Sequence, residues 1–187
     1  MDRRRPVSPA DLVQRVLAAP PRLGRTRLVC VDGPAGSGKT TLAGRLADAL
    51  PGEVTVVHMD DLYAGWALTG AVARLSSGVL RPVSEGRPGS FHRYDWSAAR
   101  FSSGATPVPV PAVLVVEGCA SASRAVDPWA TLRIWVEAPA ALRLARGLAR
   151  DGADLAPEWH RWQRLEAAHF AADGTRDRAD VVVDGGA

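Results

Sequence analysis

The chain has 23 basic residues, and all but one are arginine. The exception, Lys39, sits in the run Gly33-Pro34-Ala35-Gly36-Ser37-Gly38-Lys39-Thr40. An ammonium is a compact, strongly hydrated point charge and a guanidinium is a planar fork, so the two are not interchangeable. A chain that writes its positive charge almost everywhere as Arg uses Lys at this one place. The spacing is G-x-x-x-x-G-K-[ST], the phosphate-binding P-loop. Its glycines let the backbone curl around a phosphate with N–H groups turned inward, and the helix that follows adds partial positive charge. Lys39 then reaches the β- and γ-phosphates and Thr40 offers its hydroxyl to Mg²⁺. With Thr41 on the first helical turn, these residues predict a site for ATP and Mg²⁺.

Three further groups suit the same chemistry. An apolar strand at 112–116 runs into Glu117-Gly118. An acid there can hold Mg²⁺, directly or through water, beside Thr40. A second strand, Val54–His58, is followed by Met59, Asp60, Asp61, Leu62 and Tyr63. Ligands of open α/β sheets bind outside the carboxyl ends of the strands, so both acids should face the phosphate loop. Asp60 can accept the proton of an attacking hydroxyl or help hold Mg²⁺. Adjacent acids repel, so a cation or an Arg partner is expected beside them. His58 reads as a plain strand residue. Lastly, Arg143, Arg146 and Arg150 recur at helical spacing between Pro139 and Gly152. No acid lies four residues before any of them. Three unpaired guanidiniums on one face suit phosphates and the charge that develops in phosphoryl transfer.

Elements must present these residues. Arg27–Asp32 reads as a short buried strand feeding the loop, and 41–50 has helical apolar spacing at Leu42, Leu46, Ala49 and Leu50. A helix at 8–19 with Ser8 as N-cap is broken by Pro20-Pro21. The Pro/Gly/Ser-rich stretch 102–111 reads as a loop. A helix at 157–172 carries Trp159, Trp162 and Leu165 as core residues, with His169 structural.

The composition narrows the class. In 187 residues, 47% are hydrophobic and 23% charged, which suits one globular domain and excludes a mainly disordered or fibrous chain. The division expected is 1–25 for an N-terminal tail and helix, 64–111 for the acceptor side and 139–156 for a lid. Two cysteines make no disulfide framework, no apolar run approaches the about 20 residues that span a bilayer, and the first residues lack the apolar core of a signal peptide. A cytosolic protein is expected. The net charge of +3 is mild and the basic residues are dispersed, with a solvated run at 3–5, so no nucleic-acid or membrane partner is expected. With no Asn and no second Lys, the chain cannot carry the N-K-x-D element that reads guanine. Oligomeric state is left open.

In this order the motifs resemble those of the uridine kinase (uridine–cytidine kinase) family. GPAGSGKT is similar to the family's phosphate loop. MDDLY resembles its DSFY element, whose first acid, here Asp60, is the general base. RYDW at 93–96 resembles its YDF substrate segment, VLVVEG its Mg²⁺-site strand with the acid at Glu117, RLARGLARD its arginine lid, and DVVVDG at 180–185 its closing strand. The resemblance covers most of 27–185. It implies an α/β P-loop NTPase fold: a five-stranded parallel sheet flanked by helices, with a small Arg-bearing lid. It also implies phosphoryl transfer to a small molecule, a pyrimidine nucleoside. Tyr63, Tyr94 and Trp96 could then wall the acceptor, while Arg93 with Asp95 could anchor it. The family's NFDHP element is absent from 64–92. Other kinases of small alcohols share the remaining parts, and a nucleotide-binding switch with weak ATPase activity is the reading from another class.

Overall fold

The computed structural model describes residues 7–186; the basic run at 3–5 lies outside them. The central strand, β1 (Arg27–Asp32), is buried on both faces from Leu28 onward, and β5 (Val113–Glu117) is buried throughout. With β2 (Val54–His58), β6 (Ala130–Glu137) and β7 (Val181–Asp184) they form one five-stranded sheet in the order β2-β5-β1-β6-β7, every pair parallel. Near-continuous Val/Leu/Ile runs are what a sheet covered on both faces demands. Alternate residues divide between two cores. Leu28, Cys30, Leu114 and Val116 pack on one side. Val29, Val31, Val113 and Val115 pack on the other, with Leu12 and Val16 of α1 (Pro9–Ala18) and Ala43 and Leu46 of α2 (Lys39–Ala49). Parallel register brings the carboxyl ends of β1, β2 and β5 to one edge. Asp60 and Glu117 therefore come together, and with them Asp32 and His58, which the sequence did not single out.

The N-terminal helix is capped as its sequence suggests. Ser8 Oγ accepts from the Asp11 N–H at 3.2 Å, and Asp11 accepts from the Ser8 N–H at 2.9 Å. The fifth strand, β6, was not singled out above. Arg133 interrupts its apolar run, and it is tolerated because it pairs with Asp127 at 3.1 Å and Asp180 at 2.9 Å. Both cysteines are buried and free. Among the described residues, no helix is long and apolar enough to cross a membrane.

The acceptor side differs most from expectation. Most of the stretch 102–111 is not a loop: β4 (Arg100–Val108) pairs antiparallel with β3 (Gly89–Asp95) in a two-stranded ribbon, and only 109–111 remain irregular. Both strands of such a ribbon are edges, which is where Pro is allowed, and Pro107 pairs with Ser90. Upstream, α3 (Ala71–Leu75), a π-turn at Ser76–Leu80 and α4 (Arg81–Ser84) follow one another. Gly78 marks a close approach here, since a Cβ on it would stand 2.5 Å from the Ser90 carbonyl oxygen. After α5 (Ala140–Asp151) comes α6 (Ala156–Asp173). Trp159 and Trp162 are buried as expected, but Leu165 is 42% exposed. A constant three-residue step drifts off the buried stripe of a 3.6-residue helix, and the next inward position is 166. Glu166 occupies it and is buried.

Two substitutions measure this architecture. Leu114→Ala, at a fully buried position, should cost about 2–5 kcal/mol, and Ser8→Ala should cost about 1 kcal/mol through its cap. Urea denaturation of both variants reads the two values.

Candidate active site

The loop between β1 and α2 wraps tightly because its glycines allow it. Gly36 has φ +77°, and a Cβ there would lie 2.4 Å from the Arg143 carbonyl oxygen. A Cβ on Gly33 would lie 2.1 Å from that of Val136. Lys39 opens α2 and is 7% exposed, with Nζ donating to the Pro34 carbonyl at 3.0 Å. Burial opposes its charge. Cys119 and the carboxylates Glu117, Asp60 and Glu166 outweigh that and hold its pKa above the ordinary lysine value.

Two buried acids that the motifs did not flag fix the loop. Asp32 accepts the N–H groups of Gly33 at 2.7 Å, Ala120 at 3.1 Å and Ala122 at 2.8 Å, tying the end of β1 to the turn after β5. Burial pushes its pKa up to about 7, against the pull of those donors and of Lys39. Glu166 accepts the Ala35 N–H at 2.8 Å and Arg143 Nη1 at 2.9 Å, and it meets Cys119 Sγ at 3.3 Å. Arg143 Nη1 in turn donates to the Ala35 carbonyl at 3.3 Å. The sequence did hold signals for both: an acid closing a buried strand before Gly33, and a Glu on the inward stripe of a helix.

The cation end lies across β1. Thr40 Oγ1 donates to Glu117 Oε1 at 3.1 Å, and His58 Nδ1 lies 2.6 Å from the same oxygen. The hydrogen bond to Glu117 raises the His58 pKa despite partial burial. Asp60 is open to the cleft, yet its surroundings desolvate it and Glu117 repels its charge; its pKa is raised, with Lys39, Arg150 and His58 pulling the other way. No cluster of three or more His, Cys, Asp or Glu side chains suited to a metal occurs among the described residues. A hydroxyl and one buried carboxylate beside a phosphate loop nevertheless fit Mg²⁺, which is bound through one or two carboxylates together with phosphates and water.

On the acceptor side, Asp61 has the expected arginine partner, Arg93, at 3.1 Å. Asp95 is not that partner's companion. Its Oδ1 accepts the N–H groups of Ser97 and Ala98, both at 2.9 Å, and closes the β3–β4 turn. Trp96 folds the ribbon over the cleft, its Nε1 donating to the Asp60 carbonyl at 3.2 Å. Tyr94 packs edge-on to Trp96 and Phe101 and does not line the cleft. Tyr63 lines it with a buried ring, and its hydroxyl donates to the Cys119 carbonyl at 2.8 Å. Burial drives the Tyr63 pKa well upward. Trp66, which no motif pointed to, is the hub of this wall, with ring centroids 5.8 Å from Trp96, 6.0 Å from Trp159 and 6.1 Å from Trp162.

The arginine face of α5 is not unpaired. Arg143 is committed to Glu166 and Arg150 to Asp151, which it meets at 2.7 Å. Their acids lie after them in the chain, one of them on another helix, so spacing within α5 could not reveal both. Arg146 reaches carbonyls, Gly185 at 2.8 Å and Gly36 at 3.4 Å. Arg146 and Arg150 line the cleft; Arg143 does not. The cleft is about 990 Å³ and joins Lys39, Thr40, Glu117 and Asp60 to the tryptophan wall.

This fold is found in solved structures. A possible uridine kinase from Bacillus stearothermophilus is 22% identical, with a TM-score of 0.71 over 94% of this chain and 97% of its own. A protein provisionally named a fructose transport system kinase, from Silicibacter sp. TM1040, is also 22% identical, with a TM-score of 0.65 over 94% and 98%. The chain shares their fold. No protein-family model and no curated protein sequence matches it.

Gly147 separates ordinary helix propensity from the packing of this site. An added Cβ there would stand 2.3 Å from the Trp159 ring. A helical Gly→Ala change normally gains about 0.5–1 kcal/mol. Gly147→Ala should instead lose about 1–3 kcal/mol through overpacking. The loss should shrink when Trp159→Leu is added, as a double-mutant cycle in urea would show.

Proposed function

We propose that the chain is a cytosolic ATP- and Mg²⁺-dependent kinase that phosphorylates a hydroxyl of a small molecule, with a pyrimidine nucleoside as acceptor. One observation carries this reading: Asp60 stands in the same cleft as Lys39 and Glu117, at the border between the phosphate loop and a wall of indole rings. A phosphate-binding half and an aromatic half meeting at a carboxylate suit transfer from a nucleotide to a ring-bearing alcohol.

In this mechanism the N–H groups of Gly38, Lys39 and Thr40, with that of Gly36, and the Lys39 ammonium bind the phosphates, while the Gly33 and Ala35 N–H groups stay with Asp32 and Glu166. Thr40 and Glu117 would hold Mg²⁺, which when bound neutralises phosphate charge. Asp60 accepts the proton of the acceptor hydroxyl; its raised pKa makes it a better base than an ordinary surface Asp. Arg146 and Arg150 counter the charge of the transferring group from the α5 side. Trp66 and Trp96 offer apolar faces to the acceptor and help exclude water. Such a reaction is mostly positioning and charge stabilisation.

A kinase of another alcohol, such as a sugar, is the second reading. The absence of the NFDHP element from 64–92 favours it, and the Silicibacter protein of the same fold is named as a kinase of fructose transport.

ADP release from ATP with a panel of nucleosides, sugars and other small alcohols tests both. Uridine or cytidine should stimulate turnover strongly. Stimulation by a non-nucleoside alone would keep the mechanism and replace the acceptor. No stimulation by any acceptor, with ATP binding intact, would favour a nucleotide-binding switch. Lys39→Ala and Asp60→Asn should each reduce turnover at least about 100-fold, and EDTA should abolish it. Near-normal turnover by Asp60→Asn would remove Asp60 as the base.

A further inference from the structure

The ends of β2 and β5 lie side by side, with His58 in register opposite Glu117. Thr40 Oγ1, at 3.1 Å, and His58 Nδ1, at 2.6 Å, both converge on Glu117 Oε1. Among the described residues no hydrogen bond reaches Glu117 Oε2. The terminal torsion of a glutamate is broad and settles on no one rotamer. Two donors on one oxygen remove that freedom and leave the other oxygen open. The two donors differ in their duties. Thr40 opens α2 beside Lys39 and is itself a cation ligand in the reading above. His58 lies on the edge strand and does not line the cleft.

We propose that His58 is a positioning residue for the cation site, its Nδ1–H holding Glu117 Oε1 so that Oε2 stays free for a divalent cation bound together with nucleotide phosphates. Mg²⁺ tolerates little departure from octahedral geometry and keeps few protein ligands. The orientation of one carboxylate therefore weighs heavily in its binding. Outer partners that orient a ligating group are typically worth about 10–100-fold in metal affinity. The inference rests on the nucleotide reading above, and its test separates the two.

The measurement is the affinity of a fluorescent ATP analogue in Mg²⁺ and in EDTA, for the wild-type chain, His58→Ala and His58→Asn. Wild type should bind more tightly in Mg²⁺. His58→Ala should lose about 10-fold or more of that gain, while its affinity in EDTA, which depends on the phosphate loop, stays at the wild-type level. His58→Asn puts an amide N–H near the position of Nδ1 and should restore most of the gain. The His58 side chain is 42% exposed, so the fold should tolerate both changes, and retained affinity in EDTA reports a folded protein. An undiminished Mg²⁺ gain in His58→Ala overturns the positioning role. An equal loss in both solutions overturns it too, because it would mean a general structural effect. Absence of any Mg²⁺ gain in a wild type that still binds the analogue in EDTA overturns this inference alone, whereas absence of binding in both solutions would bring down the nucleotide reading and this inference with it.

Discussion

The peptide of Ala35 is gripped from both sides by one ion pair, of which Glu166 is buried and Arg143 partly so. Glu166 takes its N–H, Arg143 gives to its carbonyl, and the two side chains meet at 2.9 Å. Removing one member of a buried pair strands the other charge, at a typical cost of about 3–5 kcal/mol. Three elements meet at this point: the phosphate loop, the start of α5, and α6. A loop that must hold its N–H groups toward an anion cannot also collapse onto itself, so it needs outside anchors. Asp32 supplies a second one at the loop's beginning, through three backbone donors. The cleft geometry depends on these two acids more than on the loop's own composition.

That anchoring changes the meaning of the arginines on α5. The first is structural glue between α5 and the loop, and only the two further along line the cleft. With Lys39 the cleft lining carries the carboxylates of Asp60 and Glu117 and the guanidiniums of Arg146 and Arg150. Burial, and then the charge of Glu117, raises the cost of ionising Asp60, which a cation bound among phosphates would relieve.

The aromatic half of the cleft follows a different logic. Its walls come from three separate parts of the chain: Trp66 after β2, Trp96 at the turn of the ribbon, and Trp159 and Trp162 on α6. Their rings meet edge to face with centroids about 6 Å apart, an arrangement that aromatic quadrupoles prefer. Gly147 makes room for Trp159 beneath α5. The same indole thereby supports the helix, donates to Asp151 at 3.1 Å and borders the cleft.

The sequence alone determined whatever is local. The spacing of Gly33, Gly38, Lys39 and Thr40 specifies a phosphate loop because the chemistry lies in contiguous backbone. Uninterrupted apolar runs specify buried strands, and acids at their ends specify an edge. Ser8 and Asp11 cap a helix within three residues of each other. Where local pattern was weak, the reading failed: 102–108 looked like a loop because Pro, Gly and Ser, tolerated on the exposed edges of a two-stranded ribbon, mask its strand character, and β6 was hidden by Arg133. Partnerships between distant residues were decided only by the tertiary structure. Glu166 is an ordinary helix glutamate until α6 packs on the loop, 131 residues from Ala35. His58 is an ordinary strand residue until parallel register sets it beside Glu117. The tryptophans are core residues by periodicity and cleft walls by assembly. A one-dimensional pattern records what a residue does to its neighbours in the chain, whereas a binding site is made by residues that become neighbours only on folding.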